Sequence, residues 1–227
     1  MALIDVKELS FGYDNVEIIK KLSFEVDEGD YLCVIGENGV GKSTLIKVLL
    51  GLKKPYSGTI EFGDGLKPHE TGYLAQQTLV QKDFPATVRE IVLSGCQGSL
   101  GKGFFYKAEH KKLTEENMKR MNIYELADKS YRELSGGQQQ RVLFARCLCA
   151  TKKLIVLDEP SASLDRETTK EMYSIIRKLN HEGTAIVMIS HDIETALAES
   201  KHVLMLNDHE NFYGTVSEYK EWKGGNL

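Results

Sequence analysis

The feature that most constrains this chain is a glycine-rich turn placed between an apolar run and an amphipathic helix. The turn reads Gly36-Glu37-Asn38-Gly39-Val40-Gly41-Lys42-Ser43 and follows the apolar run from Tyr31 to Ile35, which predicts a strand buried on both faces. Glycines let the backbone turn tightly, so that consecutive amide N–H groups face one point. The helix that follows adds the partial positive charge of its N-terminus. The sequence therefore predicts a binding site for a triphosphate.

The residues of this phosphate loop have distinct predicted roles. Lys42 is expected to reach the β and γ phosphates, and the Ser43 hydroxyl is expected to be a ligand of magnesium. The helix beyond them has an apolar face and ends at Gly51, a residue type that commonly terminates helices. The other nucleotide-binding candidates are Gly36, Glu37, Asn38, Gly39, Val40, Gly41 and Thr44.

A pair of carboxylates follows a second apolar run, Leu154 to Leu157, which predicts another buried strand. Asp158, at the end of this strand, is expected to hold magnesium directly or through water. Glu159 is one residue further along, where it could polarise the attacking water as a general base. Such a pair alone could equally well be a capped turn. Together with the phosphate loop, it is predicted to be catalytic.

The order of the remaining patterns predicts an α/β fold. Further strands are indicated at Leu22 to Val26, Thr59 to Phe62 and Thr184 to Ile189, and a helix precedes the last of them. Strands that alternate with helices favour a parallel sheet with crossover helices. Between about Thr87 and Ala150 the pattern is helical throughout, which predicts a helical insertion.

Composition excludes several classes of protein. The chain has 227 residues, of which 41% are hydrophobic and 27% charged, the balance of a globular protein and not of a disordered or membrane-spanning one. A net charge of -4 gives no global electrostatic reason to expect nucleic acid binding. The cysteines lack metal-finger spacing and are expected to be reduced core residues. Histidines such as His69, His110 and His181 are expected to be solvated.

One pentapeptide resembles the signature of a known family. The segment Leu134-Ser135-Gly136-Gly137-Gln138 resembles the signature of ATP-binding cassette proteins. Ser135 can cap a helix that begins near Gly136, which would create a second helix N-terminus suited to a phosphate. In that family the signature faces the nucleotide held by the other subunit, so the resemblance implies that two chains enclose two ATP molecules and that hydrolysis requires a dimer.

The resemblance covers nearly the whole chain and assigns roles to further residues. It implies that Tyr13 stacks on adenine, although a buried core tyrosine is the alternative. It makes Gln76 the glutamine that contacts magnesium and water, with Gln77 as the neighbouring candidate. It makes His191 the sensor of the γ phosphate. The nucleotide-binding residues that it adds are Ser135, Gly136, Gly137, Gln138 and, in the Ser163-Leu164-Asp165 turn, Asp165.

The same resemblance implies a fold and a domain organisation. The expected fold is a P-loop NTPase core, with a mostly parallel sheet, flanking helices and an antiparallel β edge. Residues 1–227 would form a single nucleotide-binding domain of an ABC transporter. An inserted helical subdomain at about residues 77–150 would carry the signature. The segment from Gln76 to Phe84 is expected to transmit the ATP-driven change to a membrane partner.

Other segments resemble the zinc and manganese importer subfamily, namely Phe84 to Glu90, Tyr131 to Ala150 and Asn211 to Thr215. This implies an ATP hydrolase with ATP and Mg²⁺ as cofactors, cytoplasmic and peripheral on the inner face of the cell membrane. Its partners would be a second copy, integral membrane permease subunits and an extracytoplasmic substrate-binding protein, but no nucleic acid.

An exporter or a lipid- or protein-extraction ATPase is the alternative function. A soluble non-transport ATPase is disfavoured, because it would need a tandem cassette, a long coiled coil or a basic surface, and the sequence shows none of them. A basic stretch around Lys102, Lys107, Lys111 and Lys112 lies where the family docks its membrane partner.

Overall fold

The protein is described from a computed structural model. The described residues are 2–13, 16–68, 71–75, 85–101, 103, 105–151, 153–161, 164–190, 193–207 and 210–225. Within these ranges no helix has both the length and the apolar character that crossing a membrane requires.

The described chain contains nine strands in two sheets and seven α-helices. The strands are β1 (Ile4–Tyr13), β2 (Val16–Val26), β3 (Tyr31–Gly36), β4 (Ser57–Phe62), β5 (Gly72–Leu74), β6 (Leu154–Asp158), β7 (Ala185–Ile189), β8 (His202–Leu206) and β9 (Phe212–Thr215). The helices are α1 (Lys42–Leu49), α2 (Val88–Ser94), α3 (Ala108–Arg120), α4 (Gly136–Ala150), α5 (Arg166–His181), α6 (Ile193–Glu199) and α7 (Val216–Gly225). Short 3-10 helices at Gly95–Leu100, Tyr124–Leu126 and Tyr131–Glu133 connect the middle helices.

The larger sheet has six strands in the order β5-β6-β7-β3-β8-β9. All neighbouring strands in it are parallel except β9, which runs antiparallel to β8. The smaller sheet is antiparallel and has the order β2-β1-β4. The predicted α/β fold, a mostly parallel sheet with antiparallel strands, is therefore confirmed.

The central strands are buried on both faces, as predicted for β3. Leu32 and Val34 pack with α1 and the antiparallel sheet, whereas Tyr31, Cys33 and Ile35 pack with the middle helices. This alternation follows from the two-residue repeat of a strand, which sends successive side chains to opposite faces. As a result, β3 lies between two hydrophobic clusters and α1 packs in one of them, which fixes both ends of the phosphate loop.

Every regular element described between Val88 and Ala150 is a helix, as the sequence analysis predicted. Thr87 and Glu90 form a capping box at the start of α2. One expectation for this region is wrong. His110 is buried, because its Nδ1 accepts a hydrogen bond from the Lys107 N–H and its Nε2 lies 3.3 Å from the Ser99 hydroxyl. These two contacts replace the water that a solvated histidine would have.

All four cysteines are free and buried, which confirms that they are core residues. Burial raises the pKa of the Cys33 and Cys147 thiols to about 12. Both groups therefore remain protonated at neutral pH. They pack as small hydrophobic side chains.

Candidate nucleotide site

The phosphate loop joins the end of β3 to the start of α1, and its conformation depends on glycine. Gly36 has a φ of 145°, and a Cβ there would lie 2.4 Å from the Leu206 carbonyl oxygen. Gly41 caps α1 with a φ of 107°. Since other residue types rarely adopt such angles, the loop can take this path only with glycine at these positions. The loop ends where the first free N–H groups of α1 begin.

Lys42 lies in the first turn of α1 and is buried, with 7% of its surface exposed. Its Nζ donates hydrogen bonds to the carbonyl oxygens of Gly36 at 2.8 Å and Glu37 at 2.7 Å. Burial lowers the pKa of Lys42, while the charges of Glu159 and Asp158 act in the opposite direction. An ammonium group has three N–H donors, so one remains for a ligand.

Asp158 ends β6 and is also buried. Its Oδ1 has no hydrogen-bond partner in the part of the chain that the structure describes. The hydroxyls of Ser43 and Tyr73 lie beside the same carboxylate and influence its electrostatics. Burial is the largest influence on this carboxyl and raises its pKa, and the charge of Glu159 adds to the effect, whereas Ser43 and Lys42 oppose it.

This carboxylate and hydroxyl form an oxygen donor set that fits magnesium. Mg²⁺ prefers hard oxygen ligands and usually takes one or two carboxylates from the protein. A buried carboxylate oxygen without a partner is rare and requires an explanation. A cation bound between Asp158 and Ser43 would provide one.

Glu159 directly follows Asp158 and has a backbone conformation that is uncommon for its residue type. Its φ is 50°, in the left-handed region, and its N–H donates to the Ile189 carbonyl oxygen at 3.1 Å. Backbone strain of this kind costs on the order of 1–3 kcal/mol and is concentrated at functional sites. The side chain is half-buried, and its charge acts on both Lys42 and Asp158.

Tyr13 ends β1 and is 43% exposed, so the buried-core alternative for this residue is wrong. Its phenolic oxygen accepts a hydrogen bond of 2.8 Å from the Thr44 hydroxyl. The Lys53 Nζ lies 3.4 Å from the centroid of the ring, over one face. Tyr13 is thereby tied to the helix that begins at the phosphate loop.

The signature segment forms the start of α4. Ser135 caps this helix in a reciprocal capping box: its N–H donates to Gln138 Oε1 at 3.0 Å, and its hydroxyl accepts from the Gln138 N–H at 3.3 Å. A Cβ at Gly136 would meet no atom within 4 Å, whereas one at Gly137 would lie 2.9 Å from Thr168 Cγ2. One side of the helix tip is therefore open, and the other packs against α5.

Asp165 caps α5 and thereby lies close to the signature. Its Oδ1 accepts hydrogen bonds from the Glu167 and Thr168 N–H groups, both at 3.0 Å, and its Oδ2 accepts one of 2.8 Å from the Thr168 hydroxyl. The side chain of the same threonine lies where a Cβ on Gly137 would meet it. Asp165 thus has a clear structural role, and its predicted contact with nucleotide stays a prediction.

The structure brings one group of predicted residues together: the phosphate loop with Lys42 and Ser43, the carboxylates Asp158 and Glu159, and Tyr13 by way of Thr44. Three predicted positions, Gln76, Ser163 and His191, lie outside the described residues. Gln77 lies outside them too.

Sequence reasoning missed two residues of this site. Tyr73 lies beside Asp158, and burial together with the Asp158 charge raises the pKa of Tyr73 to about 12. Gln140 is buried, and its Nε2 donates to the Pro160 carbonyl oxygen at 2.8 Å, which connects the signature helix to the carboxylate segment. The position of Gln140 inside a run of three glutamines gave no signal. Tyr73 lies in the apolar run directly before Gln76, and this position was only a weak signal.

Comparison with known proteins identifies the family. The sequence profile of the ABC transporter family matches residues 19–162, which contain the phosphate loop, the signature and the carboxylate pair. The chain is 32% identical to the zinc uptake system ATP-binding protein ZurA of Listeria innocua, covering 97% of this chain and 88% of that protein. It is 34% identical to the manganese transport system ATP-binding protein MntB of Halalkalibacterium halodurans, with coverage of 95% and 87%.

Solved structures agree with this match. A metal-chelate type ABC transporter in an inward-facing conformation superposes with a TM-score of 0.85 and 29% identity, covering 96% of this chain and 85% of that chain. CbiO1 of Clostridium perfringens, part of the ABC transporter complex CbiONQ, gives 0.81 and 28%, with coverage of 98% and 92%. The chain therefore belongs to the ABC transporter family, in which it is an ATP-binding subunit that hydrolyses ATP.

Proposed function

We propose that this chain works as a homodimer on the cytoplasmic face of a cell membrane, where it powers a permease that imports a divalent metal such as zinc or manganese. The observation that carries the catalytic part is the buried Asp158 carboxylate beside Ser43 and Lys42. The metal part rests on relatives named for zinc and manganese transport that match nearly the whole chain. In such an importer an extracytoplasmic binding protein delivers the substrate to the permease.

The phosphate loop and Lys42 bind the triphosphate. N–H groups of the loop and of the first turn of α1 donate to phosphate oxygens, and the free donor of Lys42 bonds the β and γ phosphates. Lys42 is desolvated before nucleotide arrives, so its charge attracts phosphate more strongly than a solvated lysine would. Its two bonds to loop carbonyls hold the ammonium in place.

Asp158 and Ser43 are the residues that would hold Mg²⁺. When bound, the ion neutralises charge on the β and γ phosphates and stabilises the charge of the transition state. The gain is greatest in a buried site, where water screens little. With two oxygens supplied by the protein, phosphate and water would provide the remaining ligands.

Glu159 acts as the general base. Water attacks the γ phosphorus, the bond from that phosphorus to the β,γ-bridging oxygen breaks, and Glu159 accepts the proton that the water loses. ADP carries away the electrons of the broken bond, and inorganic phosphate is the second product. The left-handed backbone at Glu159 redirects the chain directly after β6, so that two consecutive carboxylates serve different roles.

A second copy completes each site. The N–H groups of Gly136 and Gly137 open α4, and no residue in the described ranges accepts a hydrogen bond from either. Helix N-termini of this kind bind phosphate, and the side of the tip at Gly136 is open. We assign this tip to the γ phosphate on the partner copy, together with Ser135. Gln76 and His191 lie outside the described residues. We propose that Gln76 contacts magnesium and that His191 contacts the γ phosphate.

The permease is proposed to dock in a cleft between the sheet and the helical insertion. The cleft has a volume of about 580 Å³, and its walls come from β5, α2 and α4. Apolar residues dominate, with Glu90 and Arg146 among the polar ones; the apolar lining includes Leu74, Ile91, Tyr131 and Leu143. A short amphipathic helix of a permease fits such a surface. The segment from Gln76 to Phe84 follows β5 in the chain and lies outside the described residues, and we propose that it transmits movement of the docked permease.

Leu143→Glu is expected to abolish co-purification with the permease and metal uptake by cells, because it places a charge in the apolar cleft. ATP binding by the isolated chain should be retained. Leu143→Met, which conserves volume, serves as the control. If the glutamate variant still pairs with the permease and supports uptake, the proposed docking cleft is wrong. If cells that lack this chain lose metal efflux and keep metal uptake, the chain drives an exporter.

A further inference from the structure

The ring of Tyr13 is fixed at two points in the structure. Thr44 donates a hydrogen bond to its oxygen at 2.8 Å, and the Lys53 ammonium lies 3.4 Å from the ring centroid. The Thr44 hydrogen bond lowers the pKa of Tyr13, and the charges of Lys47 and Lys53 act in the same direction. The ring is therefore held at its edge by a hydroxyl and on one face by a cation.

The turn after α1 determines the position of Lys53. Gly51, with a φ of 69°, reverses the chain directly after the helix. The N–H groups of Leu52 and Lys53 then both donate to the Lys47 carbonyl oxygen, at 2.8 and 3.1 Å. A few residues later the Tyr56 N–H donates to the Ser10 carbonyl oxygen of β1 at 2.7 Å. Lys53 thus projects from a segment anchored at both ends.

An ammonium over an aromatic face has a specific consequence for stacking. The cation is attracted electrostatically by the electron-rich face of the ring. Because Lys53 covers one face, a purine base that stacks on Tyr13 would have to use the opposite face. A ring already held in one plane loses less freedom when the base arrives.

We propose that Lys53 is a positioning residue for the nucleotide base: it holds Tyr13 from behind so that the free face of the ring stacks on adenine. This inference rests on the expectation, implied by the family resemblance, that Tyr13 stacks on adenine. It separates Lys53 from the loop lysine Lys42, because Lys53 acts through an aromatic ring and not on the phosphates.

The test compares Lys53→Met with Lys54→Met, which removes the same charge from the neighbouring exposed lysine. We expect Lys53→Met to weaken ATP binding and raise KM by about two- to fivefold, with kcat unchanged. Binding of inorganic tripolyphosphate, which has no base, should be the same as in the wild type. Lys53→Arg should restore ATP affinity, because arginine also stacks on aromatic faces. Lys54→Met should resemble the wild type throughout.

A double-mutant cycle with Tyr13→Leu completes the experiment. Without the ring, Lys53→Met should have no further effect on ATP affinity. The proposal is wrong if Lys53→Met weakens ATP and tripolyphosphate equally, since Lys53 would then act as a phosphate-binding charge. It is also wrong if ATP affinity is unchanged or increased, since the ammonium would then be irrelevant or would occupy the place of the base. Failure of the premise that Tyr13 contacts the base differs from all of these, because Tyr13→Leu alone would then leave ATP affinity unchanged.

Discussion

Glu159→Gln is expected to lower the steady-state rate of ATP hydrolysis by about 10²- to 10⁴-fold while ATP remains bound. Glutamine has nearly the same shape as glutamate but cannot accept the proton of the attacking water. The backbone at this position has a φ of 50°, and the change does not alter the residue's backbone preferences, so the fold should be unaffected. Single-turnover hydrolysis and nucleotide binding, measured on the same sample, separate the chemical step from binding.

Glu167→Gln provides the matched control. Glu167 is an exposed carboxylate in the first turn of α5, close in sequence to the site but outside it. This variant should hydrolyse ATP at the wild-type rate. Hydrolysis by Glu159→Gln at a rate near that of the wild type would refute Glu159 as the base.

Asp158→Asn is expected to have two effects of opposite sign. Hydrolysis that depends on Mg²⁺ should fall by about 10²-fold or more, because the carboxylate proposed to hold the ion is lost. The nucleotide-free protein should become more stable at neutral pH, because a buried charge with an unpartnered oxygen is removed. A gain of about 1 kcal/mol would raise the melting temperature of a chain of this size by about 2 to 4 °C.

The pH dependence of this stabilisation follows from the direction of the pKa shift. Burial raises the pKa of Asp158 in the folded state, so the folded chain binds this proton more tightly than the unfolded chain does. Ionised Asp158 therefore destabilises the fold above its folded pKa, and that cost disappears as the pH falls and the group is protonated. The advantage of Asp158→Asn should be present at pH 7.5 and decrease in acid, as thermal unfolding at several pH values would show.

Asp30 offers a control for the stability measurement. This aspartate is buried as well, but it accepts hydrogen bonds from the Tyr31 N–H at 2.8 Å and lies 2.8 Å from His202 Nδ1. Asp30→Asn should therefore lower the melting temperature, since it disrupts a partnered group. If both variants destabilise the nucleotide-free protein, the Asp158 carboxylate stabilises the fold. The claim that this buried charge destabilises the fold when magnesium is absent would then be wrong.

The parts of the site that the sequence predicted correctly are local ones. The phosphate loop lies between β3 and α1 because a continuous apolar run, a glycine turn and a helical repeat are adjacent in the chain. Ser135 caps α4 through Gln138, three residues away, which is the spacing of a capping box. Such features depend on neighbours in sequence, so a single sequence is enough to reveal them.

The strand β1 shows why other parts were missed. Its pairing with β2 shifts register between Val6 and Leu9 and again towards Gly12, and Glu8 has a φ of 49°. These irregularities break the two-residue alternation by which strands are recognised. The sequence analysis accordingly assigned no strand to this segment, although the strand carries Tyr13.

Contacts between distant segments were beyond the reach of sequence patterns. Tyr13 and Lys53 are separated by two strands and a helix, and Gln140 and Pro160 by a helix end and a strand. His110 was expected to be solvated because nothing near it in sequence indicated burial, yet Ser99 and Cys96 lie against it after the chain folds back. In each case tertiary packing decided the environment of the residue.

The central claim is that the helix tip of one copy completes the triphosphate site of another, and the mass of a trapped complex tests it most directly. Light scattering on Glu159→Gln with ATP and Mg²⁺ should show a dimer that contains one ATP per chain. Adding Ser135→Arg, which crowds the helix tip, should leave a monomer that still binds ATP. A double variant that dimerises as readily, or a wild-type chain that hydrolyses ATP at full rate as a monomer, would contradict the account.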